Sequence, residues 1–348
     1  MKKILKRLGA LLTAAALLLA AVTFIQVKRA NASNTIQIRL AHNQQGGTEI
    51  ADTIAKFDEF TRQESGGKMS ISIYPSGQLG SETSEVEMVQ AGILDMAKVS
   101  SNTLGQFDSR YSIFAIPYLF RGQEHYYEAM EKSQAVKDLF QATANQGFVA
   151  IGYYANGSRN FYLKENVKVD SPSALSGKKI RSMVSSTSMS MITALGGTPV
   201  PMAASETYSA LQQGIVDGAE NTELALTVDG HEDLVSSYTY TEHQYSPDIF
   251  IISTRKWNSL TEEQKEELTS ALEKTNDNFK SAYNRMMDEA IEQARQHGVT
   301  VYKGIDKTNL IRAVQSIHQK YIDRGPEYQA LYDDIESYAG AESQGAKQ

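Results

Sequence analysis

The sequence predicts an α/β fold, with strands and helices alternating along the chain, the strands parallel in a sheet and the helices on its faces. Two features carry the prediction. Short runs that alternate apolar and polar residues give way repeatedly to longer runs with apolar residues three and four apart. Glycine- and proline-rich breaks separate them, as expected for βαβ units.

The elements follow in order. Residues 35–41 (TIQIRLA) alternate as a strand. Gly46 and Gly47 break it, and 49–64 shows helical spacing through Ile50, Ile54, Phe57 and Phe60 until Ser65, Gly66 and Gly67 end the helix. Residues 68–74 (KMSISIY) alternate again. PSGQLGSE at 75–82 marks a turn, 82–91 is helical and 94–100 is a strand. Similar units recur: an apolar strand at 148–154, short strands at 179–183, 198–200 and 216–219, and a helix at 206–213 between the last two. From 261 to 298 a proline-free stretch places Leu268, Leu272, Phe279, Tyr283, Met286 and Ile291 near one face. At about 1.5 Å per residue it would be about 55 Å long, which favours a helix crossing two lobes over an ordinary surface helix.

Composition sets the outer bounds. The 348 residues are 41% hydrophobic and 22% charged, enough for one large or two medium domains with buried cores. The chain has no cysteine, which excludes disulfides, cysteine-ligated metal sites, a thiol nucleophile and a lipoprotein anchor. A net charge of −7 argues against a nucleic-acid partner.

Residues 1–32 read as an export signal. Lys2, Lys3, Lys6 and Arg7 form a positive head, 8–27 is uncharged and largely apolar, and Ala30-Asn31-Ala32 offers a small-x-small cleavage site. The alternative is a retained membrane anchor, since the apolar run is long enough to span a bilayer. Either reading places the body outside the cytoplasm, in the periplasm or, if the segment is retained, at the cell surface. Removing 1–32 takes away six basic side chains and no acidic one, moving the charge from −7 to −13. An anionic ligand would therefore need a local cluster of arginine or amide groups inside a cleft.

Catalytic signatures are mostly absent. There is no HExxH, GxSxG, GxGxxG or Walker motif. SxxK occurs at Ser65/Lys68, Ser176/Lys179 and Ser253/Lys256 without its SDN and KTG partners. None of His42, His125, His231, His243, His297 and His318 has an i,i+4 or HxH partner, so the spacing gives no support for a histidine metal site; no metal motif is present and no cofactor is expected.

Three segments stand out together: NGSRNFY at 156–162; LSGKKIR at 175–181; and GGTPVPM at 196–202 running through SETYSALQ at 205–212 to VDGAEN at 216–221. With PSGQLGSE, this ordered series resembles the solute-binding proteins of tripartite ATP-independent periplasmic (TRAP) transporters, over essentially the whole mature chain. The resemblance implies a two-lobed, periplasmic-binding-protein-like α/β fold with a ligand cleft between the lobes. Crossing strands and a long helix, matched by 261–298, would join them. Residues 33–156 with about 247–285 would form lobe I, and 157–246 with about 286–340 lobe II.

The resemblance also implies an organic acid ligand whose carboxylate is held by Arg181, the arginine of GKKIR. Guanidinium presents a planar fork that matches a carboxylate and stays charged when desolvated. Arg159 matches a second family arginine, and Asn221 an asparagine that orients the carboxylate or a neighbouring hydroxyl. Without the resemblance, Arg181 would read as a solvated strand-end residue and Asn221 as a turn former. Asp217 and Gly218 are expected to shape a turn, Tyr208 and Leu211 to pack their helix, and Pro199 and Pro201 to fix a loop.

His42 and Asn43 close the first strand and Glu82 starts a helix at another strand end, where α/β proteins place ligands. Such side chains suit a polyhydroxylated ligand. With GSRNFY and DGAEN they look most like the branch that binds sugar acids such as glucuronate and galacturonate. The rival readings are helix-terminal charge pairing for Glu82 and solvent exposure for His42. One departure is Ala204, where many family members carry an aromatic residue; it leaves room for a differently shaped ligand.

The expected function is a monomeric carrier that closes over its acid and is recognised by TRAP membrane subunits driven by an ion gradient. An extracytoplasmic enzyme acting on sugar acids, or a sensor subunit of a receptor, remain the alternatives.

Overall fold

The computed structural model describes residues 35–340. The expected export segment, residues 1–32, lies outside the described residues. Two sheets organise the molecule. The first contains β1 (Ile36–His42), β2 (Met69–Tyr74), β3 (Met96–Ser100), β4 (Phe148–Tyr154) and β10 (Asp248–Ser253), in the order β2-β1-β3-β10-β4. The second contains β5 (Ser158–Leu163), β6 (Lys179–Ser182), β7 (Thr198–Pro201), β8 (Gly218–Asn221), β9 (Ser237–Tyr245) and β11 (Thr300–Tyr302), in the order β11-β9-β5-β8-β6-β7. Each sheet has its own apolar packing, with Ile38, Leu40, Phe57 and Phe250 in the first lobe and Leu163, Ile180, Leu211 and Tyr238 in the second.

The strands are parallel with one exception in each sheet. β10 runs against β3 and β4, and β5 runs against β8 and β9. Each exception is the strand that arrives from the other lobe: β4 leads through residues 155–157 into β5, and β9 leads through 246–247 into β10. The carboxyl ends of the parallel strands face the space between the lobes. A strand that leaves one sheet there enters the other at its facing end, and must run backwards. This corrects the expectation of a purely parallel arrangement. Pro199 and Pro201, expected to shape a loop, lie in β7, which is the sheet edge where a missing N–H leaves no ladder bond unmade.

Helices α1 (Glu49–Glu64), α2 (Glu82–Gln90), α3 (Gln123–Lys132), α4 (Gln134–Gln141), α5 (Ser186–Ala194) and α6 (Thr207–Gln212) cover the sheets. The long helix α7 (Glu262–Gln296) starts at Thr261, whose side chain accepts from Gln264 N while Gln264 reaches back to Thr261 N. Its 35 residues give about 52 Å of length. Leu268, Leu272, Phe279, Tyr283 and Met286 pack into the first lobe's core, and Ile291 and Ala294 into the second lobe's. The helix also fixes the first crossing, because Asn276 Oδ1 accepts from Ala155 N at 2.9 Å.

The chain then returns. Leu310, Val314 and Ile317 of α8 (Thr308–Ile322) pack in the second lobe. Helix α9 (Pro326–Ser337) goes back to the first: Leu331 and Ile335 join its core, Glu336 pairs with Arg121, and Ile335 O meets His125 Nε2 at 2.8 Å. The expectation that about 286–340 belongs with lobe II does not hold for α9. Its own Tyr328 and Tyr332 pack against the first core, and Tyr328 meets Tyr321 of α8, which also lies in that core.

Candidate ligand-binding site

A cavity of about 590 Å³ lies between the two sheets, at the carboxyl ends of their parallel strands. That is within the range of small-molecule pockets, about 300–1,000 Å³. The second lobe supplies Arg159, Arg181, Asn221, Tyr208, Asp229 and His231; the first supplies Asn43, Gly77, Glu82, Thr103 and Asp248.

Arg159 follows the first crossing, on β5, and is occupied. Its Nε donates to Glu220 Oε2 at 2.5 Å, its Nη2 to Glu220 O at 2.6 Å and Oε1 at 3.1 Å, and its Nη1 to Asn221 Oδ1 at 2.8 Å. Burial alone would raise the Glu220 carboxyl, but Arg159 beside it pulls it down to about 2. For Arg159 burial works the other way, and Glu220 holds the guanidinium above its ordinary value. His243 Nε2 lies 3.4 Å from Glu220 Oε2, beneath this pair.

Arg181, on β6, is different. It is 4% exposed, donates from Nη2 to Met202 O at 2.9 Å, and has a buried Nε with no hydrogen-bond partner. Among the described residues no carboxylate forms an ion pair with it, and burial lowers its pKa. A guanidinium buried with open donors beside a cavity has hydrogen-bonding and charge needs that an anion would satisfy. Asn221, between the arginines at the end of β8, accepts from Arg159 and from Thr222 N through Oδ1. Its Oδ1 is thereby used within the protein, and Asn221 lines the cavity.

The first lobe offers acceptors. Asn43 Nδ2 donates to Glu82 Oε1 at 2.8 Å, Thr103 Oγ1 donates to Glu82 Oε2 at 2.6 Å, and Asn43 Oδ1 is buried without a partner. Burial and the nearby Asp248 raise the Glu82 pKa. The turn bearing Gly77 is closed by Gly77 N donating to His42 O at 3.0 Å, and Ser81 then caps α2. His42 itself does not line the cavity. It is 0% exposed, both ring nitrogens lack partners, and burial together with Lys98 pushes its pKa down to about 3. The last residue of β1 is fully buried, and the cavity-lining position is its neighbour Asn43. Asp248, in the cavity lining, is paired with the buried Lys98.

Sequence reasoning missed four residues here. Glu220 hides inside DGAEN, and its burial against Arg159 is visible only in three dimensions. Asp229 and His231 lie on an irregular segment with no periodicity to mark them. Tyr208, expected to pack its helix, lines the cavity at 38% exposure, with its ring 6.4 Å from that of His231; Leu211 alone is core. Among the described residues no three His, Asp or Glu side chains are placed to hold a metal ion.

Residues 40–324 match the family model of bacterial extracellular solute-binding proteins, family 7 (DctP). The chain belongs to this family. The solute-binding protein is 35% identical over 301 residues to the uncharacterized protein YiiZ of Salmonella typhimurium, covering 86% of this chain and 91% of that one. A TRAP periplasmic solute-binding protein from Anaerococcus prevotii, with bound D-glucuronate, superposes with a TM-score of 0.83 at 34% identity, covering 87% of this chain and 98% of that one. Another from Xanthobacter autotrophicus, with bound β-D-galacturonate, has a TM-score of 0.80 at 28% identity, covering 86% and 99%. The family consists of solute carriers, so the protein is a binding component of a TRAP transporter and not an enzyme.

Proposed function

We propose that the protein captures a hexuronate, such as glucuronate or galacturonate, in the periplasm or at the cell surface and delivers it to TRAP membrane subunits. The observation that carries this is Arg181, a buried cation at the cavity with open donors and, among the described residues, no carboxylate in an ion pair with it. In the bound state the ligand carboxylate takes that place, assisted by Asn221 and the remaining Nη1 donor of Arg159. The ring hydroxyls meet Asn43 and Glu82 across the cleft. Contacts from both lobes favour the closed form, and closure turns about residues 155–157 and 246–247 while α7 spans the gap.

The test is a thermal shift of the mature protein against uronates, aldonates, sialic acid, C4-dicarboxylates and keto acids. A ligand at one hundred times its dissociation constant adds about 2.7 kcal/mol, a shift of several degrees. The expected result is a hit among the uronates, recovered unchanged, and lost in Arg181→Ala at an unaltered melting temperature. Near-normal affinity in that variant would remove Arg181 from the clamp.

A further inference from the structure

Most cavity charges are already spent within the protein. Arg159 is neutralised by Glu220, and Asp248 by Lys98. Arg181, Glu82 and Asp229 remain. Asp229 is exposed to the cleft, yet the atoms around it push its carboxyl up to about 6, against the pull of Arg181. It makes no ion pair among the described residues. The segment holding it is braced: Gly230 takes φ +68°, with Tyr208 Cε2 3.5 Å from where a Cβ would sit, and His231 Nδ1 lies 2.9 Å from Tyr162 OH. Burial lowers the His231 pKa to about 4, so the ring is neutral near pH 7 and supplies no compensating charge.

The cleft is therefore built for one negative charge. A monocarboxylate uses Arg181 and presents hydroxyls, which can donate to the carboxylates of Asp229 and Glu82, neither of which is in an ion pair among the described residues. A second carboxylate on the ligand finds no further unpaired cation among the described cavity residues and enters a cleft that already holds the Asp229 carboxylate on one lobe and that of Glu82 on the other. Like charges brought together away from water cost affinity steeply, and rejection by repulsion discriminates where attractive contacts are shared.

We propose that Asp229 is a specificity-determining residue that excludes dicarboxylic acids from the cleft and accepts a hydroxyl of the monocarboxylate. The proposal rests on the clamp at Arg181, and no other assignment gives Asp229 a role. The experiment is calorimetric titration of the purified protein at pH 7.5 with D-glucuronate and with D-glucarate, which carries a second carboxylate on the same carbon chain. Wild type is expected to prefer D-glucuronate by about 100-fold or more. Asp229→Asn is expected to narrow that ratio at least tenfold, chiefly by tightening D-glucarate, and Asp229→Ser to narrow it as well should the amide fail to fold. A ratio unchanged in a folded variant overturns the proposal, as does a wild type that binds both acids equally. If wild type binds a different monocarboxylate and not D-glucuronate, only the hexuronate reading falls; the filter is then judged on that acid against its dicarboxylic counterpart. A wild type that binds only dicarboxylates overturns both, as does one that binds no acid.

Discussion

The hydroxyl of Tyr283 occupies the space that a side chain would need at Gly157: a Cβ built on that glycine would lie 1.3 Å from the hydroxyl oxygen and 2.3 Å from Cζ. One residue belongs to α7 and the other to the crossing between β4 and β5, so the contact pins a strand connection to the helix that spans both lobes. Both residues also line the cavity. Gly157→Ala should lower the melting temperature by several degrees and weaken ligand binding. Tyr283→Ala, which vacates the space, should offset part of that loss in the double variant. A thermal double-mutant cycle is expected to give a coupling of about 1–3 kcal/mol; additive effects would show that the contact is not the cause.

Glu220→Gln should destabilise the protein far more than an ordinary surface change. It leaves the buried Arg159 guanidinium without its anion, a loss of about 3–5 kcal/mol when one partner of a buried pair is removed. Urea denaturation measures it. A change under about 1 kcal/mol would mean that water reaches Arg159 freely, since exposed pairs are worth no more than that.

Arg181→Lys separates charge from shape. The ammonium keeps the positive charge but cannot offer two parallel donors. Losing one hydrogen bond to a charged group, about 1.5–3 kcal/mol, should weaken uronate binding roughly 10- to 100-fold by calorimetry, with little change in melting temperature. Equal affinity for the lysine variant would point to a point-charge interaction in place of a fork.

Glu85 gives a pH signature. It is 0% exposed, neither carboxylate oxygen has a partner, and burial with Glu82 nearby pushes its pKa up to about 8. Above about pH 4.5 the unfolded chain has released this proton while the folded chain still holds it. The group's contribution to stability therefore falls as pH rises from about 4.5 to about 8. Glu85→Gln removes that slope, so its melting temperature relative to wild type should climb between pH 5 and pH 8.5. A constant difference would place the Glu85 carboxyl in water.

The parts of the fold legible in the sequence are those whose geometry is local. α1 covers the residues marked by the spacing of Ile50, Ile54 and Phe57, and the reach of α7 follows from its apolar positions and the absence of proline. The crossing strands were not legible as strands. β5 opens with Ser158 and Arg159 just after a turn-like Asn-Gly, and β9 carries Thr239, Thr241 and His243 buried in polar contacts, so neither shows an apolar alternation. Their direction depends on which lobe they come from, a property of the whole chain. Arg159, Arg181 and Asn221, from three separate motifs, line one cavity. What the motifs do not carry is the division of labour, because whether an arginine is free or already paired depends on a side chain such as Glu220 that lies beneath it.

The spine α7 has its middle in one core and its last turns in the other. Neither lobe can unravel on its own without stripping apolar residues from a helix that the other still needs. The two halves should thus share a single melting event, one calorimetric peak in place of two. A protease cut anywhere along 35 consecutive residues would disable both halves at once.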